Sequence, residues 1–195
     1  MPSQFYVIRH GQTQYNAEQR LQGQCNSNLT ELGCRQAQAV GESLAARVFA
    51  EDWTIVSSPL GRAVQTAHLI AKAISYPESD IQLDDRLMEF NLGDWEAQVA
   101  PEIKAQHPEF IGSKDWYLHA PHAERYEQVC ARLQQWLDDP QTPERVIVVS
   151  HALTGSVLRG LLTGLSREQV FTQPRPQDAY FYVEGGQIQT VPCAL

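Results

Sequence analysis

Two histidines and two arginines are the residues of this chain whose types and spacing could do chemistry. Arg9-His10-Gly11 follows a first apolar run, Arg62 lies one turn beyond Ser57-Ser58-Pro59, and His151 follows Ser150 at the end of another run. An imidazole can attack phosphorus, and guanidinium forks match phosphoryl oxygens two at a time. Capture and transfer of a phosphoryl group requires such a set. Taken singly, the same residues have plainer readings. His10 alone is a hydrogen-bonded core histidine, Arg9 and Arg62 are surface arginines, and His151 caps a helix. Only their joint placement argues for a site.

That placement depends on the elements that carry them. Phe5-Tyr6-Val7-Ile8 reads as a buried strand and delivers Arg9 and His10 at its end. A polar loop runs from Arg9 to about Asn28, and Thr30 caps a long helix carrying Leu32, Val40, Leu44 and Val48. Thr54-Ile55-Val56 is the next strand; Ser58 is the expected N-cap and Pro59 the first residue of a helix reaching Ile74. Residues 84–122 are irregular and suggest short helices and loops over a cleft. A helix is expected from Glu124 to Leu137, a doubly buried strand at Arg145–Val149, and a helix from Thr154 to Leu162. Ala179–Glu184, Gly185-Gly186 and Gln187–Val191 read as a hairpin. The alternation predicts an α/β three-layer sandwich with a mostly parallel sheet, whose ligands bind beyond the carboxyl ends of the strands.

Bulk properties narrow the partners. The 195 residues, 43% of them hydrophobic, suit one domain spanning 1–195, and no repeat or low-complexity stretch interrupts them. Twenty-three acidic against fifteen basic residues give a net charge of −8, which argues against nucleic acid or an anionic membrane surface as partner. A small phosphorylated substrate remains open, because a few arginines in a cleft can outweigh an acidic exterior. Cys25, Cys34, Cys130 and Cys193 show no zinc-like spacing; reduced thiols are favoured over two disulfides. No basic-then-apolar leader and no apolar run of about 20 residues is present, so a cytoplasmic location is expected. No oligomeric state is read from the sequence.

Five ordered blocks carry a resemblance to the histidine phosphatase superfamily, also called phosphoglycerate mutase-like. They are Arg9-His10-Gly11-Gln12-Thr13-Gln14-Tyr15-Asn16; Leu21-Gln22-Gly23 with Leu29-Thr30-Glu31-Leu32-Gly33; and Ser57-Ser58-Pro59-Leu60-Gly61-Arg62 through Ala67. Leu87-Met88-Glu89 with Gly93-Asp94-Trp95-Glu96, and Val148-Val149-Ser150-His151, complete the set. The resemblance implies that His10 becomes a phosphohistidine. Arg9, Arg62 and His151 hold the phosphoryl oxygens, and Asn16 adds a hydrogen bond. Glu89 protonates the leaving oxygen, with Glu96 and Glu102 as competitors for that role. Thr13, Gln22 and Gly23 fall in the matching blocks as substrate-binding candidates. No metal or other cofactor is required by these motifs.

The departures from the family pattern lie around the cleft: Gln12, Tyr15, Asn26, Asn28, Ala97, Ala123 and Ala152 stand where other residues are usual. Trp95 and Trp116 read as packing residues. The resemblance implies a metal-independent phosphatase acting on small phosphomonoesters. A phosphoglycerate mutase and a pathway-specific phosphatase, such as an α-ribazole phosphate phosphatase, stay open as alternatives; a catalytically inactive binding module is the weakest. The segment around Gln12, Gln14, Gln22 and Gln24 adds no cation besides Arg20 for a second acidic group, so uncharged esters are expected to be preferred.

Overall fold

Alternate residues of the first strand face opposite ways, and each face is buried against a different set of helices. In the computed structural model, which describes residues 3–110 and 112–195, Phe5 and Val7 of strand β1 (Gln4–Arg9) pack into one apolar cluster. Tyr6 and Ile8 pack into a second. Strand β4 (Arg145–Ser150) does the same, with Val146 and Val148 on the first side and Ile147 and Val149 on the other. A strand covered on both faces must be apolar at every position, which is why this run was legible.

One side is covered by helices α2 (Glu31–Ala45) and α3 (Gly61–Ala73), through Val40, Leu44, Ala63, Ala67 and Ile70. The other is covered by α5 (Tyr126–Asp138), α6 (Ala152–Thr163) and α7 (Arg167–Thr172), through Val129, Leu133, Val157, Leu158 and Phe171. With β2 (Thr54–Ser57), β3 (Gln82–Leu83), β5 (Ala179–Glu184) and β6 (Gln187–Pro192), the strand order is β3-β2-β4-β1-β5-β6. The first four strands are parallel, and the β5–β6 hairpin adds an antiparallel edge. The result is a mostly parallel sheet between two helical layers.

Thr30 caps α2 as expected, its side chain accepting from the Gly33 amide. The entry into α3 differs from expectation. The chain is still extended at Ser58, whose amide donates to the Val149 carbonyl at 2.9 Å, so the helix begins at Gly61 with Leu60 as N-cap. Neither Ser58 nor Pro59 belongs to it. Asn26 does the capping from outside, accepting from the Arg62 amide at 3.2 Å. Three elements were not anticipated: α7, the two-residue β3, and the one-turn helix α1 (Gln14–Ala17) inside the polar loop. Residues 84–122 hold one short helix, α4 (Ala100–Gln106), among 3-10 turns. Among the described residues, no helix is long and apolar enough to cross a membrane.

Leu44 is fully enclosed between α2 and the sheet, whereas Phe49 is 73% exposed. Leu44→Ala should therefore cost about 2–5 kcal/mol through lost transfer energy and the residual cavity. Phe49→Ala should stay within about 0.5 kcal/mol. Urea denaturation of the two variants beside the parent protein measures both.

Candidate active site

The register of β1 on β4 pairs Ile8 with Val149 and Arg9 with Ser150, which sets the two histidines side by side just past the strand ends. The His10 amide continues the ladder, donating to the Ser150 carbonyl at 3.0 Å, and the two imidazole centroids lie 5.2 Å apart. Both rings are buried. His10 Nδ1 lies 2.8 Å from the Gly11 carbonyl, an acceptor only, so Nδ1 carries the proton. Nε2 is then a lone pair. It accepts from Arg62 Nε at 3.2 Å. Burial lowers the His10 pKa well below the ordinary histidine value of 6.5, and Arg62 and Arg9 lower it further. An imidazole in this state can act as a nucleophile without first losing a proton.

The backbone beneath His10 is possible only with glycines. A side chain on Gly11 would strike the Gly33 carbonyl, and one on Gly33 would strike the Gln12 carbonyl, so the N-terminus of α2 seats directly against the loop after β1.

Arg62 is 1% exposed. Besides His10, it donates to the carbonyls of Cys25 at 2.8 Å and Gly23 at 2.7 Å. Gly23 adopts φ +54°, and any side chain there would collide with Glu96. Its part is thus to aim a carbonyl at Arg62. Arg9 donates to the Arg175 carbonyl at 2.6 Å, and burial brings its pKa down to about 10. Among the described residues neither arginine makes an ion pair with a carboxylate; backbone dipoles hold both.

Glu89 is buried at the N-terminus of α6. Its Oε1 accepts from the Phe90 and Thr154 amides and the Thr154 hydroxyl, and Oε2 accepts from the Leu153 amide. This carboxylate caps α6 in place of His151, which occupies the N-cap position without a side-chain cap bond. The competitors are displaced. Glu96 spends its carboxylate on the amides of Gln24, Cys25 and Leu92, tying the loop at Gly23 to the segment after Glu89, while Glu102 is exposed on α4.

A cleft of about 170 Å³ is lined by Arg9, His10, Asn16, Gln22, Gly23, Arg62 and Glu89, together with Arg20 and Tyr117. It is smaller than a typical drug-sized pocket and suits one small polyatomic group. His151 stands behind it, its Nε2 2.7 Å from Ser58 Oγ. Burial, then Arg62 and His10, lower its pKa well below 6.5. Asn16 Oδ1 accepts from Gln177 Nε2 at 3.0 Å, and Gln22 accepts from the Ser27 hydroxyl. Thr13 is fully buried; its hydroxyl caps α1 by accepting from the Asn16 amide, so it stands away from the cleft lining.

Sequence reasoning missed several contributors. Ser58 orients His151, Gln177 bridges the His10 carbonyl to Asn16, and Thr154 grips Glu89. Arg175 supplies the carbonyl that holds Arg9. Arg20 is also not the only further cation: Lys104, Lys114 and Arg175 line an adjoining groove. Apart from Ser58, none of these lies in a recognisable block, and their roles arise from contacts between segments far apart in sequence. Trp95 and Trp116 pack at 5.8 Å in the core, as expected.

The α/β sandwich thus gathers two histidines and two arginines beyond the ends of its parallel strands, with Arg62 supplied by the helix that follows β2. The family model of the histidine phosphatase superfamily (branch 1) matches residues 5–181, and the chain belongs to that family. A probable phosphoglycerate mutase GpmB of Salmonella arizonae is 36% identical over 169 residues, covering 83% of this chain and 75% of the relative. The structure of a mycobacterial glucosyl-3-phosphoglycerate phosphatase with VO3 superposes with a TM-score of 0.77 at 26% identity, covering 99% of this chain and 98% of that one. Bacillus stearothermophilus YhfR gives 0.78 at 30% identity, covering 97% and 95%.

The buried neutral histidines predict an acid-side instability. In the unfolded chain, His10 and His151 take up protons near 6.5; in the folded protein they resist until the pH is well lower. Unfolding therefore binds protons in that window, and stability, complete above about pH 6.5, falls as the pH drops below it. Urea midpoints measured from pH 8 to pH 5 should show this loss, and a His10→Gln, His151→Gln double variant should show less of it.

Proposed function

We propose that the protein is a phosphatase that hydrolyses small phosphomonoesters through a phosphohistidine on His10. The observation that carries this reading is the unprotonated His10 Nε2 facing Arg62 in a cleft shared with Arg9 and Glu89. In this reading Nε2 attacks phosphorus in line, the N–P bond forms, and the ester P–O bond breaks. Arg9, Arg62 and His151 stabilise the three equatorial oxygens, and Asn16 adds a contact. His151 Nδ1 and Arg9 Nε are enclosed and without hydrogen-bond partners, which fits groups that await an oxyanion. Glu89 delivers the proton to the departing alkoxide. It then takes one from the water that cleaves the N–P bond, restoring His10 and releasing inorganic phosphate.

Hydrolysis rather than mutase chemistry is favoured by two further points. A mutase must exclude water while it holds the product, and among the described residues the segments that reach over the cleft, the one after Glu89 and the one carrying Arg175 and Gln177, are short. The mycobacterial phosphatase also matches this chain almost end to end, and a second structure of it contains inorganic phosphate.

Incubation with a reactive phosphoryl donor should label His10 with an acid-labile, alkali-stable adduct, absent from His10→Ala. On 3-phosphoglycerate, phosphate release should exceed isomerisation followed by an enolase-coupled assay. Isomerisation faster than release would overturn the phosphatase reading while leaving His10 as nucleophile.

Glu89→Gln should slow hydrolysis of alkyl phosphates by about 10²-fold to 10⁴-fold, the usual range for general acid–base catalysis. On p-nitrophenyl phosphate, whose leaving group departs without a proton, the loss should be much smaller. Equal losses on both substrates would place the acid elsewhere.

A further inference from the structure

A second space, with Tyr117 in its wall as in that of the catalytic cleft, is used by no part of the proposed chemistry. A groove of about 440 Å³ is lined by Lys104, Phe110, Lys114, Trp116, Phe171 and Arg175, together with Tyr117, which also borders the catalytic cleft. The walls of the two spaces also touch, since the carbonyl of Arg175 holds Arg9. Tyr117 is 8% exposed; the Arg175 guanidinium stands near its hydroxyl oxygen, yet the hydroxyl proton finds no acceptor. Among the described residues only three buried side-chain polar atoms are left so, and the other two belong to Arg9 and His151. A buried phenol without a partner costs stability unless a ligand supplies one. Burial pushes its pKa up to about 12, so it stays a donor near neutrality.

The walls of the groove combine flat rings and positive charge. Trp116 and Tyr117 meet at 5.7 Å, Tyr117 and Phe171 at 6.3 Å, and Lys104 Nζ lies 4.9 Å from the Trp116 ring centroid. Arg175 Cζ lies 5.9 Å from the ring centroid of Tyr117. Of the nearby acids, Asp115 is bound to Arg167 and Ser113, and Glu109 contacts His107, so the three cations outnumber the one acid without a cationic Arg or Lys partner. Rings favour a planar group by stacking, and the cations favour a negative charge on it.

We propose that this groove binds the alcohol portion of the substrate, and that this portion is a flat ring carrying a second negative charge. Tyr117 marks the junction, its hydroxyl donating to the leaving group where it passes from cleft to groove. The inference rests on the phosphatase reading and narrows its substrate class. It also reverses the expected preference for uncharged esters, because the cations come from a segment the motifs do not include.

Three probes test it on the intact protein: p-nitrophenyl phosphate, 2-naphthyl phosphate, and the same naphthyl ester bearing a 6-carboxylate. The carboxylate should raise kcat/KM about tenfold over the plain naphthyl ester, as expected for two or three partly exposed charge contacts. The advantage should shrink with added salt. A Lys104→Met, Lys114→Met variant should bring the kcat/KM values of the two naphthyl esters close to one another. Tyr117→Phe, which keeps the ring, should raise KM for both naphthyl esters by about threefold to tenfold, the scale of one hydrogen bond. A carboxylate that brings no advantage, or an advantage untouched by removing both lysines, overturns the groove assignment. Failure to hydrolyse any of the three overturns the phosphatase reading itself.

Discussion

Arg62 is the residue on which the rest of the site depends. It is a guanidinium enclosed in the protein, and its burial is tolerable only because its nitrogens are engaged by His10, Gly23 and Cys25. An isolated buried charge is among the costliest things a fold can contain. Meeting that cost with carbonyl dipoles instead of a carboxylate has a consequence. The dipoles satisfy the N–H groups but leave the net positive charge in place, so the cleft retains the potential that attracts an anion. A carboxylate in ion pair with Arg62 would have stabilised the chain locally and quenched the site.

Three segments must converge for this to work. The loop carrying Gly23 and Cys25 is tethered by Glu96, whose carboxylate accepts three amides, and the helix carrying Arg62 is capped by Asn26 from that same loop. Strand β1 brings His10 against the guanidinium, and the glycine pair Gly11 and Gly33 lets the following backbone lie close to α2. Each tether spends a polar side chain that would otherwise be available to a ligand. Thr13 and Glu96 sit in recognisable blocks yet serve the scaffold and not the cleft lining.

Glu89 shows a second economy. It is the sole buried carboxylate among the described residues, and it sits where the amides of α6 need an acceptor. Helix capping thereby fixes the orientation of the acid beside the two arginines, while the histidine at the N-cap position keeps its own ring for Ser58 and the cleft. Secondary structure and site geometry are set by the same hydrogen bonds, so the acid cannot be repositioned without disturbing the start of α6.

The sequence by itself determined the layers, the family and the gathering of Arg9, His10, Arg62 and His151 at one end of the sheet. Continuous apolar runs mark strands buried on both faces, Thr30 marks the start of α2, and Arg9-His10, Arg62 and His151 follow strand ends where a parallel sheet must gather them. These features are local, and local patterns are legible. Ser58 shows the limit. By composition it is a helix cap, but strand pairing keeps it extended and its hydroxyl turns to His151, a contact across 93 residues of sequence. Glu89 as cap of α6, Glu96 as tether, Gln177 as bridge and the groove of Lys104, Lys114, Trp116 and Arg175 likewise have no local signature. Each depends on which distant segments the packed helices bring within about 3–6 Å of one another, the range over which hydrogen bonds and ring contacts act. That was decided only by the tertiary structure.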